Sequence, residues 1–214
     1  MHEPREQTTA SAEHMPFFSE SHHFPVLGSL LQQQVARGPV SLWSAGCAGG
    51  AEPYSMAIAA IEALGDQAAA VSILASDPSE EIVERAQRGI FTLEHASLLG
   101  EERLKRFFLR GTGTQRGHVR IRPEVRQLLR FRTIELRAPD WPVRGNFGAI
   151  FCRHTLGSLD EPTQRRVLRG FAALLGVHGL LFAGPADKLA HCADLFSSRG
   201  NAAYAPVPTS GQSR

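Results

Sequence analysis

A glycine-rich stretch between an apolar run and a proline offers backbone amides to a ligand. It runs from Ser44 to Ala51 and carries Gly46, Gly49 and Gly50. Pro53 follows at a position suited to the first turn of a helix, where its missing N–H costs no hydrogen bond. Backbone comes close to a ligand over such a turn, and the free N–H groups of a helix N-terminus attract polar groups. The stretch predicts a small-molecule site, although the same glycines are also consistent with a tight turn alone.

Asp77 is the side chain best suited to recognise that ligand. It directly follows the apolar run Val71–Ser76, so it lies at the carboxyl end of a predicted strand. A carboxylate at that position accepts hydrogen bonds from the ribose hydroxyls of a bound adenosine. A second interpretation stays open, because Asp77-Pro78-Ser79 is also typical of a turn followed by a helix N-cap.

Hydrophobic periodicity predicts that strands alternate with helices. The predicted strands are Val40–Ala45, Val71–Ser76, Leu128–Leu136, Phe147–Cys152, Gly179–Gly184 and, at the edge, Ala203–Val207. The predicted helices are Pro25–Ala36, Pro53–Leu64, Ser79–Arg88, Arg103–Phe108 and Glu161–Leu175. Glycines at 111, 113 and 117 predict an inserted β-hairpin.

This alternation is typical of an α/β fold with a doubly wound, mostly parallel sheet. Ligands of such sheets bind at the carboxyl ends of the strands, near the point where the strand order reverses. We therefore expect four strand ends to meet around one crevice: Ser44–Ala51, Asp77, Glu135–Leu136 and His154.

Composition indicates a globular protein. Hydrophobic residues make up 43% and charged residues 21% of the 214 residues, and the net charge of +2 argues against general nucleic-acid binding. No apolar run is long enough to cross a membrane, so we expect no membrane insertion. We expect one domain over residues 16–207, with a β-subdomain inserted at about 107–123 and tails at 1–15 and 208–214.

The three cysteines, Cys47, Cys152 and Cys192, are widely spaced and lack the spacing of metal ligands. This usage predicts a reducing compartment, with neither a disulfide framework nor a zinc site. We therefore expect a cytoplasmic protein without a metal.

Several motifs occur in a fixed order along the chain: Phe17–Pro25, Leu42–Met56, Arg110–Ile121, Phe151–His154 and Pro162–Gln164. Together they resemble the chemotaxis receptor methyltransferases, the CheR family, over roughly residues 15–206. The resemblance implies a Rossmann-like methyltransferase fold. It also implies S-adenosylmethionine as cofactor, S-adenosylhomocysteine as product, and methyl transfer to receptor glutamates.

Carried onto this chain, the resemblance implies that Ala45, Gly46, Asp77 and Leu136 contact the cofactor. Other positions depart from the family. Met15 and Ser19 stand where the family has a Thr and an Arg near the first motif. Ala51 replaces the first Glu of the family's Gly-Glu-Glu-Pro-Tyr, and Glu135 replaces the Asn before Leu136. His154 replaces the Asn of the family's Cys-Arg-Asn, and Ser158 replaces the Tyr four residues later. Residues 184–188 replace the family's Gly-His-Ser-Glu-Asn.

These departures bear on the affinity for the cofactor. Ala51 lacks the anion that would pair with the ammonium group, a contact worth roughly 1.5–3 kcal/mol. Ser19 cannot imitate a bidentate guanidinium, and Glu135 brings a charge that a buried cleft would resist. Two or three such losses move a micromolar site toward millimolar, since about 1.4 kcal/mol is tenfold.

Two functions remain open. The chain is either a divergent receptor methyltransferase or a non-catalytic module that acts by protein contact. An enzyme predicts an open crevice faced by Asp77, whereas a module predicts one narrowed by Met15, Glu135 and His154. A glutamate substrate is already ionised, so we interpret His154 as a polar turn residue and assign no catalytic residue. The hairpin at 111–121 either pairs with a peptide of a chemoreceptor or other signalling protein, or has no partner.

Overall fold

The structure, a computed structural model, describes residues 15–153, 155–184, 187 and 189–208. The helices are α1 His23–Val35, α2 Ala51–Leu64, α3 Glu80–Arg88, α4 Leu93–Ser97, α5 Glu101–Phe107, α6 Pro123–Arg126 and α7 Glu161–Leu174. The strands are β1 Val40–Ala45, β2 Val71–Asp77, β3 Ile90–Thr92, β4 Phe108–Arg110, β5 His118–Ile121, β6 Leu129–Thr133, β7 Phe147–Cys152, β8 Leu175–Ala183, β9 Phe196–Ser198 and β10 Ala203–Pro206.

The main sheet has the order β6-β2-β1-β7-β8-β10-β9. Strands β6, β2, β1, β7 and β8 run parallel, and β10 is antiparallel to both of its neighbours. The order reverses at β1, where Ser44 lies opposite Ala75 of β2 on one side and Phe151 of β7 on the other. The predicted doubly wound, mostly parallel sheet is therefore confirmed, and its switch point lies between β1 and β7.

Successive residues of the central strands face opposite layers of the core. Leu42 and Phe151 pack on the side of α1 and α2, together with Leu31 and Met56. Trp43 packs on the other side against Phe171 of α7, with ring centroids 5.4 Å apart. Both faces of the sheet are covered, which explains why β1 and β7 are continuous apolar runs rather than alternating ones.

A second, three-stranded antiparallel sheet has the order β3-β5-β4. Strands β4 and β5 form the hairpin that the glycine spacing predicts. Strand β3 adds a third strand that the sequence pattern does not indicate, and α4 and α5 connect β3 to β4. The small sheet therefore draws on residues from 90 onward, well before the predicted insertion at about 107.

Two predicted strands differ from the observed ones by more than one residue at an end. The predicted strand Leu128–Leu136 ends at Thr133, because Ile134 donates one last bond to the Asp77 carbonyl and a turn follows. Strand β8 starts at Leu175, earlier than the predicted Gly179. In the described part of the chain, no helix has the length and apolar character needed to cross a membrane.

Candidate functional site

The glycine-rich loop after β1 is fastened to β2 by its own amides. The N–H groups of Gly46 and Cys47 both donate to the carbonyl of Ser76, at 2.8 and 2.7 Å. Gly46 and Gly50 each have φ of 93°, a left-handed conformation that favours glycine. These two amides thus hold the turn itself, which is the role that the tight-turn interpretation predicts for this stretch.

The loop also lies against the segment that follows β7. A Cβ atom on Gly46 would stand only 2.3 Å from the hydroxyl oxygen of Thr155. Glycine at this position therefore permits close contact between the carboxyl ends of β1 and β7. This contact lies at the switch point, where the sequence predicts the crevice.

Asp77 lies at the end of β2 and is only 8% exposed. Its Oδ2 accepts the Ala48 N–H and its Oδ1 accepts the Ser79 N–H, both at 3.2 Å. Ser79 is the helix N-cap, as predicted, because its Oγ accepts the Ile82 N–H. Asp77 thus takes part in the turn, yet each carboxylate oxygen keeps a further acceptor site for a ligand hydroxyl.

The environment raises the pKa of the Asp77 carboxyl above its ordinary value. Burial is the main cause, and the nearby charge of Glu135 acts in the same direction. The hydrogen bonds from Ser79 and Ala48 oppose the shift because they stabilise the ionised form.

A buried ion pair links α2 to the end of β7. The Nε of Arg153 donates to Oε2 of Glu52 at 2.6 Å, and the Ser44 hydroxyl donates to Oε1 of Glu52, also at 2.6 Å. Arg153 is 3% exposed. Its Nη1 donates to the carbonyl of Ser19 and lies 3.5 Å from Oε2 of Glu20.

His23 joins this group from the start of α1. It is fully buried, and its Nε2 lies 2.8 Å from the carbonyl of Asn201, which accepts a hydrogen bond from it. Its Nδ1 faces Oε2 of Glu20 at 3.5 Å. Burial, followed by the charge of Arg153, lowers the pKa of His23 to about 4, so the imidazole is neutral near pH 7.

The remaining predicted residues lie around the same strand ends. Ala45 and Leu136 are buried, and Ala51 is the buried first residue of α2. Glu135 is exposed, and its Oε1 accepts the Arg137 N–H at 2.8 Å. The expected cost of burying its charge is therefore wrong, because the carboxylate closes an exposed turn instead.

Other predicted positions make local contacts. Ser158 is exposed, and its hydroxyl donates to the Thr155 carbonyl at 2.8 Å. The carbonyl of Met15 lies 2.9 Å from Nε2 of His95. His154 lies outside the described residues. Among the residues that the structure describes, no His, Cys, Asp or Glu side chains group in threes that could hold a metal ion.

Sequence reasoning did not assign a role to the Glu52–Arg153 pair. These residues are 101 positions apart, and only the parallel pairing of β1 with β7 brings them together. One signal was available, because Arg153 directly follows the fully apolar strand Phe147–Cys152. A charge at the buried end of a central strand requires a partner at the same edge of the sheet.

Comparison with known proteins gives a family match. The family described as CheR methyltransferase, SAM binding domain, matches residues 13–205. The chemotaxis protein methyltransferase 2 of Pseudomonas aeruginosa is 43% identical over 192 residues, which are 89% of this chain and 69% of that protein. The chemotaxis protein methyltransferases of Klebsiella aerogenes and Escherichia coli are 40% and 39% identical, and each match covers 88% of this chain. The chain spans 64% and 65% of those two relatives.

Proposed function

The chain belongs to the CheR methyltransferase family, and from that premise we propose that it binds S-adenosylmethionine and methylates glutamate side chains of a chemoreceptor in the cytoplasm. The observation that carries the proposal is the position of Asp77. Its carboxylate lies at the end of β2, between the glycine-rich loop and the turn after β6. A bound adenosine would find two ribose-accepting oxygens there.

We assign each proposed contact from the position of its residue at the carboxyl ends of the strands. Asp77 accepts the ribose hydroxyls, the backbone at Ala45 and Gly46 lies along the amino-acid part, and Leu136 lies beside the adenine. Leu136 is a buried apolar residue, which supports an apolar wall for the adenine. The fit is good for the nucleoside half of the cofactor.

The chemistry requires alignment more than proton transfer. When bound, S-adenosylmethionine supplies a methyl group on a positively charged sulfur, which is a good leaving group. A glutamate oxygen of the substrate would form the new bond to the methyl carbon, the carbon–sulfur bond would break, and its electron pair would stay on sulfur. The glutamate is ionised near pH 7, so the crevice needs only to hold the two reactants in line.

The amino-acid half of the cofactor fits less well, and this favours a second candidate function. Glu52, the acid next to Ala51, already accepts from Ser44 and from Arg153. Arg153 is likewise engaged by Glu52 and by the Ser19 carbonyl. A zwitterionic ligand would have to compete with these contacts. The second candidate is therefore a non-catalytic module with weakened cofactor binding.

Calorimetric titration with S-adenosylhomocysteine tests the two functions. We expect micromolar binding if the enzyme proposal is correct, followed by methyl transfer to a receptor fragment. No heat and no thermal shift at millimolar ligand would instead favour the module.

Restoring the missing charges sharpens this test. The double variant Ser19→Arg/Ala51→Glu adds back the guanidinium and the carboxylate, and each charge-assisted contact is worth roughly 1.5–3 kcal/mol. We expect at least tenfold tighter binding. The matched control is Ser29→Arg/Ala69→Glu, which introduces the same charges at two exposed positions. If both double variants change the affinity equally, the added charges act through the electrostatic field of the whole protein and not through contacts with the ligand.

For receptor contact we propose that a peptide adds as a strand along β4, the edge strand of the small sheet. Because Gly111 donates to the His118 carbonyl, the alternation of the strand turns the Arg110 N–H away from β5. Arg110→Pro removes that outward donor while the β4–β5 ladder keeps its bonds. We expect it to abolish binding of receptor peptides in a fluorescence titration. Unchanged binding would mean that the hairpin is not the contact.

A further inference from the structure

The leading segment, Pro16–His22, lies across the first turn of α2. The Phe18 N–H donates to the Ser55 hydroxyl at 2.9 Å, and this hydroxyl donates in turn to the Ala51 carbonyl at 2.7 Å. The segment therefore rests on the residues that directly follow the glycine-rich loop.

The backbone of this segment is not in a relaxed conformation. Phe18 and Glu20 have φ of 54° and 53°, which L-residues adopt only when their surroundings hold them there. The residue between them is Ser19, whose carbonyl accepts from Nη1 of Arg153. Arg153 thus bonds the segment between its two left-handed residues.

The guanidinium of Arg153 is able to do this because its charge is compensated. It is 3% exposed, its Nε is 2.6 Å from Glu52, and its Nη1 is 3.5 Å from Glu20. Glu52 is itself held by Ser44 at the end of β1. One planar group therefore joins β7, α2 and the leading segment, with separate nitrogens serving the carboxylate and the carbonyl.

We propose that Arg153 is a positioning residue that fixes the leading segment over the first turn of α2 and so shapes the crevice for its ligand. The part concerning the ligand rests on the proposed cofactor site. The part concerning the segment rests on the contacts alone. Arg153 acts through Ser19 and Glu52.

Arg153→Lys tests the geometry while keeping the charge. A single ammonium cannot serve the Glu52 carboxylate and the Ser19 carbonyl in the fixed fork of a guanidinium. We expect hydrogen exchange of the Phe18 and Ser19 amides to accelerate at least tenfold, with β1 and β7 unchanged. We also expect S-adenosylhomocysteine to bind at least tenfold more weakly.

The control is Arg165→Lys, because Arg165 makes a comparable bidentate pair with Asp194 at the surface. It should change neither exchange in the leading segment nor affinity. Unchanged exchange in Arg153→Lys, or equal acceleration in β1 and β7, would overturn the positioning role. Unchanged affinity beside faster exchange would overturn its link to the ligand.

If Arg153→Lys does not fold, Arg153→Met/Glu52→Gln removes both members of the short ion pair, so that Glu52 is not left as a buried charge without Arg153. The same local acceleration is then expected, and its absence would refute the role. If the unaltered chain does not bind S-adenosylhomocysteine, the proposed function fails, while the exchange measurement still decides whether Arg153 positions the segment.

Discussion

Replacing the buried His23 by Gln should make the protein less sensitive to acid. The pKa of His23 in the folded protein is about 4, against an ordinary value of 6.5, because burial and Arg153 disfavour the charged imidazole. Between these values the unfolded chain binds a proton that the folded protein does not. Stability therefore falls as the pH is lowered from 6.5 towards 4, and the loss is complete below 4.

The size of the effect follows from the shift. Each pH unit in this window costs about 1.4 kcal/mol for one proton, so His23 should cost about 2 kcal/mol between pH 7 and pH 5. Gln offers a side-chain N–H for the Asn201 carbonyl but takes up no proton in this range. The loss due to residue 23 should therefore disappear in His23→Gln.

Urea unfolding at pH 7 and pH 5 measures this difference directly. The unaltered protein should lose about 2 kcal/mol more than His23→Gln over this interval. Other groups that titrate contribute equally to both proteins and cancel. The matched control is His118→Gln at an exposed position, which should behave like the unaltered protein. If His23→Gln loses as much stability as the unaltered protein, the neutral buried imidazole is refuted.

Two further predictions concern the crevice. Gly46→Ala should destabilise the fold by about 1–2 kcal/mol for its left-handed backbone and about 1–3 kcal/mol for the contact with Thr155, measured by urea unfolding. The loss of stability due to the contact should disappear when Gly46→Ala is made in a Thr155→Ala protein. If Gly46→Ala costs the same stability with Thr155 and with Ala at position 155, the contact is contradicted. Asp77→Asn keeps an acceptor for one of the two backbone amides but loses the anion. It should weaken S-adenosylhomocysteine about 10- to 100-fold in calorimetry, and unchanged affinity would contradict the ribose role.

The sequence predicts the central sheet well because its middle strands are buried on both faces. Val40–Ala45 and Phe147–Cys152 have the observed bounds, since an uninterrupted apolar run leaves little freedom in where a strand begins and ends. The predicted strand to Leu136 is too long for a related reason. Ile134 and Leu136 are buried, yet they reach the core from a turn. Apolar character alone does not separate these cases.

The local hydrophobic pattern of the sequence does not predict very short strands or ion pairs between residues far apart in the chain. Strand β3 has three residues and exists because β5, some thirty positions later in the chain, pairs with it. The position of Asp77 at the end of β2 could be predicted, because the apolar run before it marks the strand. The Glu52–Arg153 pair could not be assigned, because its contact depends on which strands are neighbours and not on either local sequence.

The contact between His23 and Asn201 also bears on the kinetics of unfolding. The two residues are 178 positions apart, so their contact closes almost the whole described chain. The entropy of closing so long a loop favours its formation late in folding. Interactions that are absent from the transition state slow unfolding without accelerating folding. The buried imidazole at the start of α1 should therefore act mainly on the lifetime of the folded protein.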